Sequence, residues 1–567
     1  MEDKSLAMLA DIPRFSDLSF APCQEAELVQ LTTDIQALIA QEKGAEEAAR
    51  SLLSFQQILL SKQSQVDYAR IHQALRPDQA QETGQALEGA CSSLSLAQAK
   101  GTVYRAIANY PYEAMEESAA DMDLWSRAWR WSRFEELIPV EVWDRENDLV
   151  QALQTIKPST LSLWEEFNHS AFPWDALIAH DDRLAFFQAL IQRLREDNKD
   201  RTRLCLELLA VRAQIAKYTG FANYSDYHEA RRGKRSFGRK AELNFIADFR
   251  THFIPIWQAL KALKDYRLGP AAEAWLDYPV LSQYGQIPVL TEGYDLQQQF
   301  ASSLADLTGH PQHFLLSLLD KGYISYDSLV REQLGTPSSL LMSVPASFLA
   351  LPLDGRRPLT SSFLDAGYAL ADISAMLNFH SLGSSRQDAY SKQLSAYLFL
   401  VLAKKELGAF YGENADLAWD MEWAQQLQKS FLHCFCYVWE NRLYHMQGRL
   451  DALRLRQAFQ KVLDKQLGFI GLPTFSEDIL DLVWPYVFSL NLEAYQALSP
   501  VLALVTILAL HPHHLSRSLL SNTLNNFLLT NPGGAILDRL SEAALPVPFS
   551  QDSLKKASFS VCDLLAL

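Results

Sequence analysis

Apolar residues recur along most of this chain at the spacing of a helix face. Leu204, Leu206, Leu208, Leu209, Val211, Ile215 and Ala216 make one wide stripe that stops at Gly220. Phe363, Gly367, Leu370, Ile373 and Leu377 make a second, in steps of three or four. Two stretches depart from that period. Tyr278 to Leu290 and Leu340 to Leu353 are punctuated by proline and mix alternating with continuous apolar positions, the pattern of short strands. The pattern therefore predicts a mainly α protein with a small β-sheet element in its second half. Weak connections at Ile156 to Ser159 and at Asn168 to Pro173 suggest two units, an N-terminal helical lobe at 1–185 and a larger helical domain at 186–567.

Composition narrows the function more than the fold. Of 567 residues, 48% are hydrophobic, enough to bury a substantial core. Lys and Arg number 51 against 67 Asp and Glu, a net charge of −16, which argues against a general binder of nucleic acid or of an anionic membrane and leaves room only for a local basic patch. The longest apolar run, Val501 to Leu510, is about half of the ~20 residues a membrane-spanning helix needs. The acidic start Met1-Glu2-Asp3-Lys4 leads into no long apolar run, so no signal peptide is expected. Six scattered cysteines make no disulfide framework. The expectation is a cytoplasmic protein without membrane insertion or nucleic-acid partner.

Residue chemistry alone offers no active site. The helical zinc motif H-E-x-x-H, which sets two His on one helix face with a Glu base between them, does not occur. His511-Pro512-His513-His514 has the density of a metal tract, but Pro512 breaks helical presentation and no carboxylate lies within ten residues. His433 lies on a mostly apolar helix and reads as a satisfied core or cleft histidine. Cys434 and Cys436 point to different faces and read as packing. The basic run Arg231 to Lys240 can grip a phosphate or a carboxy-terminus, but six cations in ten residues read more simply as a solvated helix start. Neither G-x-S-x-G, nor a P-loop, nor a glycine-rich dinucleotide loop is present.

Five segments, taken in order, change the picture. They are Pro173 to Arg183 (PWDALIAHDDR), Arg212 to Tyr227 (RAQIAKYTGFANYSDY), Phe410 to Asp416 (FYGENAD), Tyr437 to Asn441 (YVWEN) and Pro532 to Phe549. Together they resemble the oligoendopeptidase F branch of the thimet-oligopeptidase-like zinc metallopeptidases, over nearly the whole chain. The resemblance implies a two-lobed, zinc-metallopeptidase-like helical fold around a deep cleft, and makes 186–567 the peptidase-like domain. It also implies a zinc site, where the family reads H-E-A-G-H. Here that position reads Leu364-Asp365-Ala366-Gly367-Tyr368, with Leu364 and Tyr368 in the two histidine positions and Asp365 in place of the general base. Counting on by the family's interval to its third ligand, a Glu, reaches Lys392 or Gln393, and no acid occurs between Asp388 and Glu406. The family's late carbonyl-polarising His has become Tyr486, Tyr495 alone persists among the accompanying tyrosines, and a glycine pair on the cleft-edge strand has become Ser338-Ser339.

A catalytic zinc takes three protein ligands, and none stands at the three implied positions. Neither zinc nor another cofactor is therefore expected, and no catalytic residue. The expected function is that of a catalytically inactive, oligoendopeptidase-like protein, a pseudopeptidase, holding peptides or a partner protein in the former substrate cleft. An active peptidase relative is one such partner, and Asp365, Tyr368, Tyr437, Tyr486 and Tyr495 are the candidates to line the cleft. Three alternatives stay open: a metal-free enzyme using Asp365 with nearby tyrosines or His380, a zinc peptidase with ligands moved to His511, His513 and His514, and a structural interaction protein with a filled cleft.

Overall fold

The computed structural model describes residues 14–18, 29–30, 32–34, 37, 67–68, 70–75, 133–156, 180–232, 237–268, 287, 289–308, 321–341, 346–354, 357–378, 388–446, 450–472, 474–490, 492, 495–530 and 535–565. Its helices are α1 (Val140–Thr155), α2 (His180–Tyr218), α3 (Tyr224–Arg232), α4 (Arg239–Leu268) and α5 (Gly293–Thr308). A short strand β1 (Ile324–Ser325), helix α6 (Ser328–Leu334) and strands β2 (Ser338–Leu341) and β3 (Ala346–Ala350) follow. The chain continues with α7 (Leu359–Asn378), α8 (Ala389–Ala403), α9 (Leu407–Tyr411), α10 (Ala415–Tyr444), α11 (Ala452–Leu467) and α12 (Glu477–Leu490). It ends with α13 (Ser499–Leu508), α14 (Arg517–Leu529), α15 (Ile536–Glu542) and α16 (Gln551–Leu565). The class is the predicted one, mainly α with one small sheet.

Local chemistry sets the element ends. The stripe from Leu204 closes as expected at Gly220, whose φ of +80° is natural only for glycine, and Phe221 N–H turns back to the Ala216 carbonyl. Asp327, Asp388, Asp451 and Ser516 each accept a backbone N–H at the start of α6, α8, α11 and α14, meeting donors that would otherwise be orphaned. The sheet has the order β1-β3-β2, with β1 parallel and β2 antiparallel to β3, so β2 is an edge. The Leu340–Leu353 stretch thus supplies the end of β2 and all of β3, while β1, two residues long, carries no sequence signal. Most of Tyr278–Leu290 and the weak connections from Lys157 to Pro173 lie outside the described residues. Residue 185, where the sequence divides the lobes, lies inside the continuous helix α2, which packs on both α1 and α12.

The core gathers on α8 and α13. From Val501 to Leu508 every residue of α13 is buried, which explains the longest apolar run as an interior helix. Helix α8 buries nearly its whole length between α13 and α7. Helices α7 and α8 approach closely because Gly367 has no side chain where Phe399 and Ala396 press in. The other face of α7 lies on β2 and β3. Helix α7, which carries residues 364 to 368, is thereby held between the sheet and the buried helix α8.

Candidate functional site

Helix α7 carries only two charged residues, Asp365 and Asp372, seven positions apart and therefore on one face about 10 Å along its axis, with Tyr368 between them. Both carboxylates are buried. Buried charge demands partners, and the surrounding elements supply them. Arg331 of α6 grips Asp365 with two parallel bonds, Nε to Oδ2 at 3.0 Å and Nη2 to Oδ1 at 3.1 Å. Arg357, on the approach to α7, adds Nη1 to Oδ2 at 3.1 Å. Burial pulls Arg357 below the usual arginine range, with the Asp365 charge opposing it.

A cation from the next helix meets the other end of the face. Lys392 of α8 sets its ammonium 2.7 Å from Asp372 Oδ2 and 5.2 Å from the centre of the Tyr368 ring. Ser338, on edge strand β2, donates to the same Oδ2 at 2.7 Å. The Tyr368 phenol is pushed up by burial, with Lys392 opposing, so it stays protonated near neutral pH. Leu364 is half-buried among apolar neighbours. Of the two positions the family's interval reaches, Lys392 is the one whose side chain meets Tyr368; Gln393 is half-buried beside it.

This donor set does not fit zinc. The positions implied for ligands hold a hydrocarbon, a protonated phenol and an ammonium, whereas zinc takes imidazole, thiolate or carboxylate. An ammonium at the third position repels a divalent cation outright. Asp365 has both oxygens hydrogen-bonded to guanidinia. Among the described residues, no group of three or more His, Cys, Asp and Glu is arranged to hold a metal ion. His511, in a left-handed turn with φ +49°, and His514 place their rings 6.4 Å apart, while the His513 side chain and His380 lie outside the described residues.

The remaining cleft candidates stand elsewhere. Tyr437 and Tyr495 meet each other, ring centres 5.4 Å apart, and both are buried. The Tyr437 hydroxyl donates to Glu242, and Tyr495, in the left-handed region at φ +62°, is held by its N–H to Glu440 Oε2 at 3.0 Å. Around them the Arg212–Tyr227 segment builds a charged core. Arg212 pairs with Glu146 at 2.8 Å, bonds the Tyr444 hydroxyl and the Leu492 carbonyl, and lies 5.1 Å from the Tyr224 ring centre. Tyr486 packs instead where α12 meets α2, against the buried cluster of Ile191, Leu194 and Leu482, its phenol pushed up by burial. The structure thus sets Asp365 and Tyr368 on one face of α7 and brings the rings of Tyr437 and Tyr495 together.

Other sequence candidates resolve simply. In the basic run, Arg231 pairs with Glu135 at 2.8 Å and Arg239 with Asp226 at 2.8 Å, so these two cations tie helices together rather than wait for an anion. Cys434 is buried, with its thiol pushed up by burial. Arg331, Arg357 and Asp372 escaped the sequence reading. The signal available was the helix itself, because two acids on an otherwise apolar face must find cations.

No protein-family model matches this chain, and no curated protein does. Solved structures do. A structure assigned as an oligoendopeptidase F superposes with a TM-score of 0.84 at 13% identity, covering 98% of this chain and 99% of its own. PZ peptidase A, solved with an inhibitor, gives the same TM-score, identity and coverage. A structure assigned as an oligoendopeptidase F from Bacillus anthracis str. Ames gives 0.79 at 15% identity, with 98% of both chains covered. This chain has the fold of the solved oligoendopeptidase F structures, mainly helical with one small sheet.

Proposed function

We propose that this protein is a non-hydrolysing member of the oligoendopeptidase group that holds peptides, or a segment of a partner protein, without cutting them. One observation carries the reading: Lys392 places an ammonium over Tyr368 and against Asp372, and Tyr368 and Lys392 stand where the resemblance implies metal ligands. Without a metal ion to polarise the scissile carbonyl and to activate water, hydrolysis by that route loses its main driving interactions. The cytoplasm is where it meets its peptides.

The test pairs binding with turnover on the same material. A library of fluorescent peptides is titrated against the purified full chain, and quenched versions of the binders are incubated with it for hours, with and without added zinc. Saturable binding without cleavage is the expected result. Cleavage that chelator abolishes overturns the reading, as does a failure of every peptide and of lysate-derived partners to bind.

A further inference from the structure

The polar face of α7 is layered. Asp365 and Asp372 lie deepest, their side chains 10% and 2% exposed, and the cations paired with them lie further out, Arg331 at 17%, Arg357 at 31% and Lys392 at 16%. Tyr368 stands between the two ends and feels the charges of both Lys392 and Arg331. A solute that reaches this face from water meets cations before it meets carboxylates.

The two ends are not equally closed. Lys392 and Asp372 match charge for charge, and Ser338 also donates to Asp372 Oδ2. At the other end two guanidinia share the one carboxylate of Asp365. Arg331 holds it with its Nε and Nη2 edge, whereas Arg357 reaches it through Nη1 alone. Among the described residues, Nε and Nη2 of Arg357 make no hydrogen bond. Glu332 and Glu422 act on Arg357 through space only, and Glu422 is itself engaged by Thr360 and Gln426. The open edge of Arg357 is thus the same edge that Arg331 closes on Asp365, a planar fork that fits a carboxylate with two parallel bonds.

We propose that the Nε and Nη2 edge of Arg357 is the receptor for a carboxylate of the bound peptide. The inference rests on the reading that this chain holds peptides, and adds which group of the peptide is recognised. A free carboxy-terminus and an Asp or Glu side chain share that chemistry.

The test offers a random hexapeptide library to the full chain in two forms, with a free carboxy-terminus and with a carboxamide. Retained peptides are identified by mass spectrometry and their Kd measured by calorimetry. Free acids should bind at least about tenfold tighter than the matching amides, from one charge-assisted pair, and R357Q should remove the difference. That result upholds the proposal and identifies the carboxy-terminus as the source. Retained amides enriched in Asp and Glu, with the enrichment lost in R357Q, uphold it and identify a side chain. Equal retention of both forms without such enrichment, or a preference that survives R357Q, overturns it and leaves the peptide-holding reading standing; retention of no peptide overturns both. Where R357Q folds poorly, the wild-type chain still decides. Propionate should displace the bound peptides at concentrations where propionamide does not, and equal displacement by the two overturns the proposal.

Discussion

Gly367 shows how little freedom the residues of the site have. A Cβ there would stand 2.5 Å from Phe399 Cβ and 2.9 Å from Ala396 Cα, so α7 and α8 would have to part. Gly367→Ala is therefore expected to cost about 1–3 kcal/mol, read as a lower urea midpoint; an unchanged midpoint would mean that the helices are not this close. Lys392 makes a different kind of contribution. Lys392→Met leaves Asp372 buried beside Ser338 alone, and about 3 kcal/mol should be lost at neutral pH, measured by the same unfolding curve. Neither pairing was legible in the sequence, because Lys392 lies 20 positions from Asp372 and Arg331 lies 34 from Asp365. Sequence spacing gave the helix face, but the cations that complete it come from other elements.

His433 adds a pH dependence. Burial holds its imidazole neutral, pulling its pKa from 6.5 to about 4. Between those values the unfolded chain binds a proton that the folded chain does not, so stability should fall as pH drops through that window. His433→Gln is expected to flatten that part of the stability-against-pH curve. An unchanged slope would place the histidine in contact with water or with an acid.

Elements divide by how local their causes are. The end of α2 at Gly220 and the apolar helix α13 follow from short stretches of sequence, and these were legible. The Arg212 segment was legible as a resemblance but not as a structure. Its guanidinium joins Glu146 on α1, Tyr444 on α10 and Leu492 beyond α12, contacts separated by up to 280 positions. Arg212→Met should therefore cost about 3–5 kcal/mol, since it leaves Glu146 buried without its cation. A double-mutant cycle with Glu146→Gln should recover much of that loss; simple additivity would show that the pair does not act as a unit. Two of the tyrosine candidates are placed by contacts of the same long-range kind. Tyr486 follows α12 to its contact with α2, whereas Tyr495 is turned by its positive φ into the Arg212 core.

At the scale of the whole molecule, 13% identity coexists with a TM-score of 0.84 over nearly the full length. A fold tolerates such divergence when volume and apolar patterning hold, because most core positions ask only for a hydrophobic side chain of about the right size. A metal site tolerates none, since each ligand atom must be of a specific kind. Where α6, α7 and α8 meet, this chain places ion pairs internal to the protein, Arg331 and Arg357 on Asp365 and Lys392 on Asp372.

The direct test is the zinc that the chain retains after incubation with a small excess of the ion and removal of what is free, with the thermal midpoint followed with and without chelator. Far less than one zinc per chain and a midpoint indifferent to chelator are expected. A stoichiometric ion whose removal lowers the midpoint, and whose anomalous scattering places it beside residues 364 to 392, would contradict the central claim.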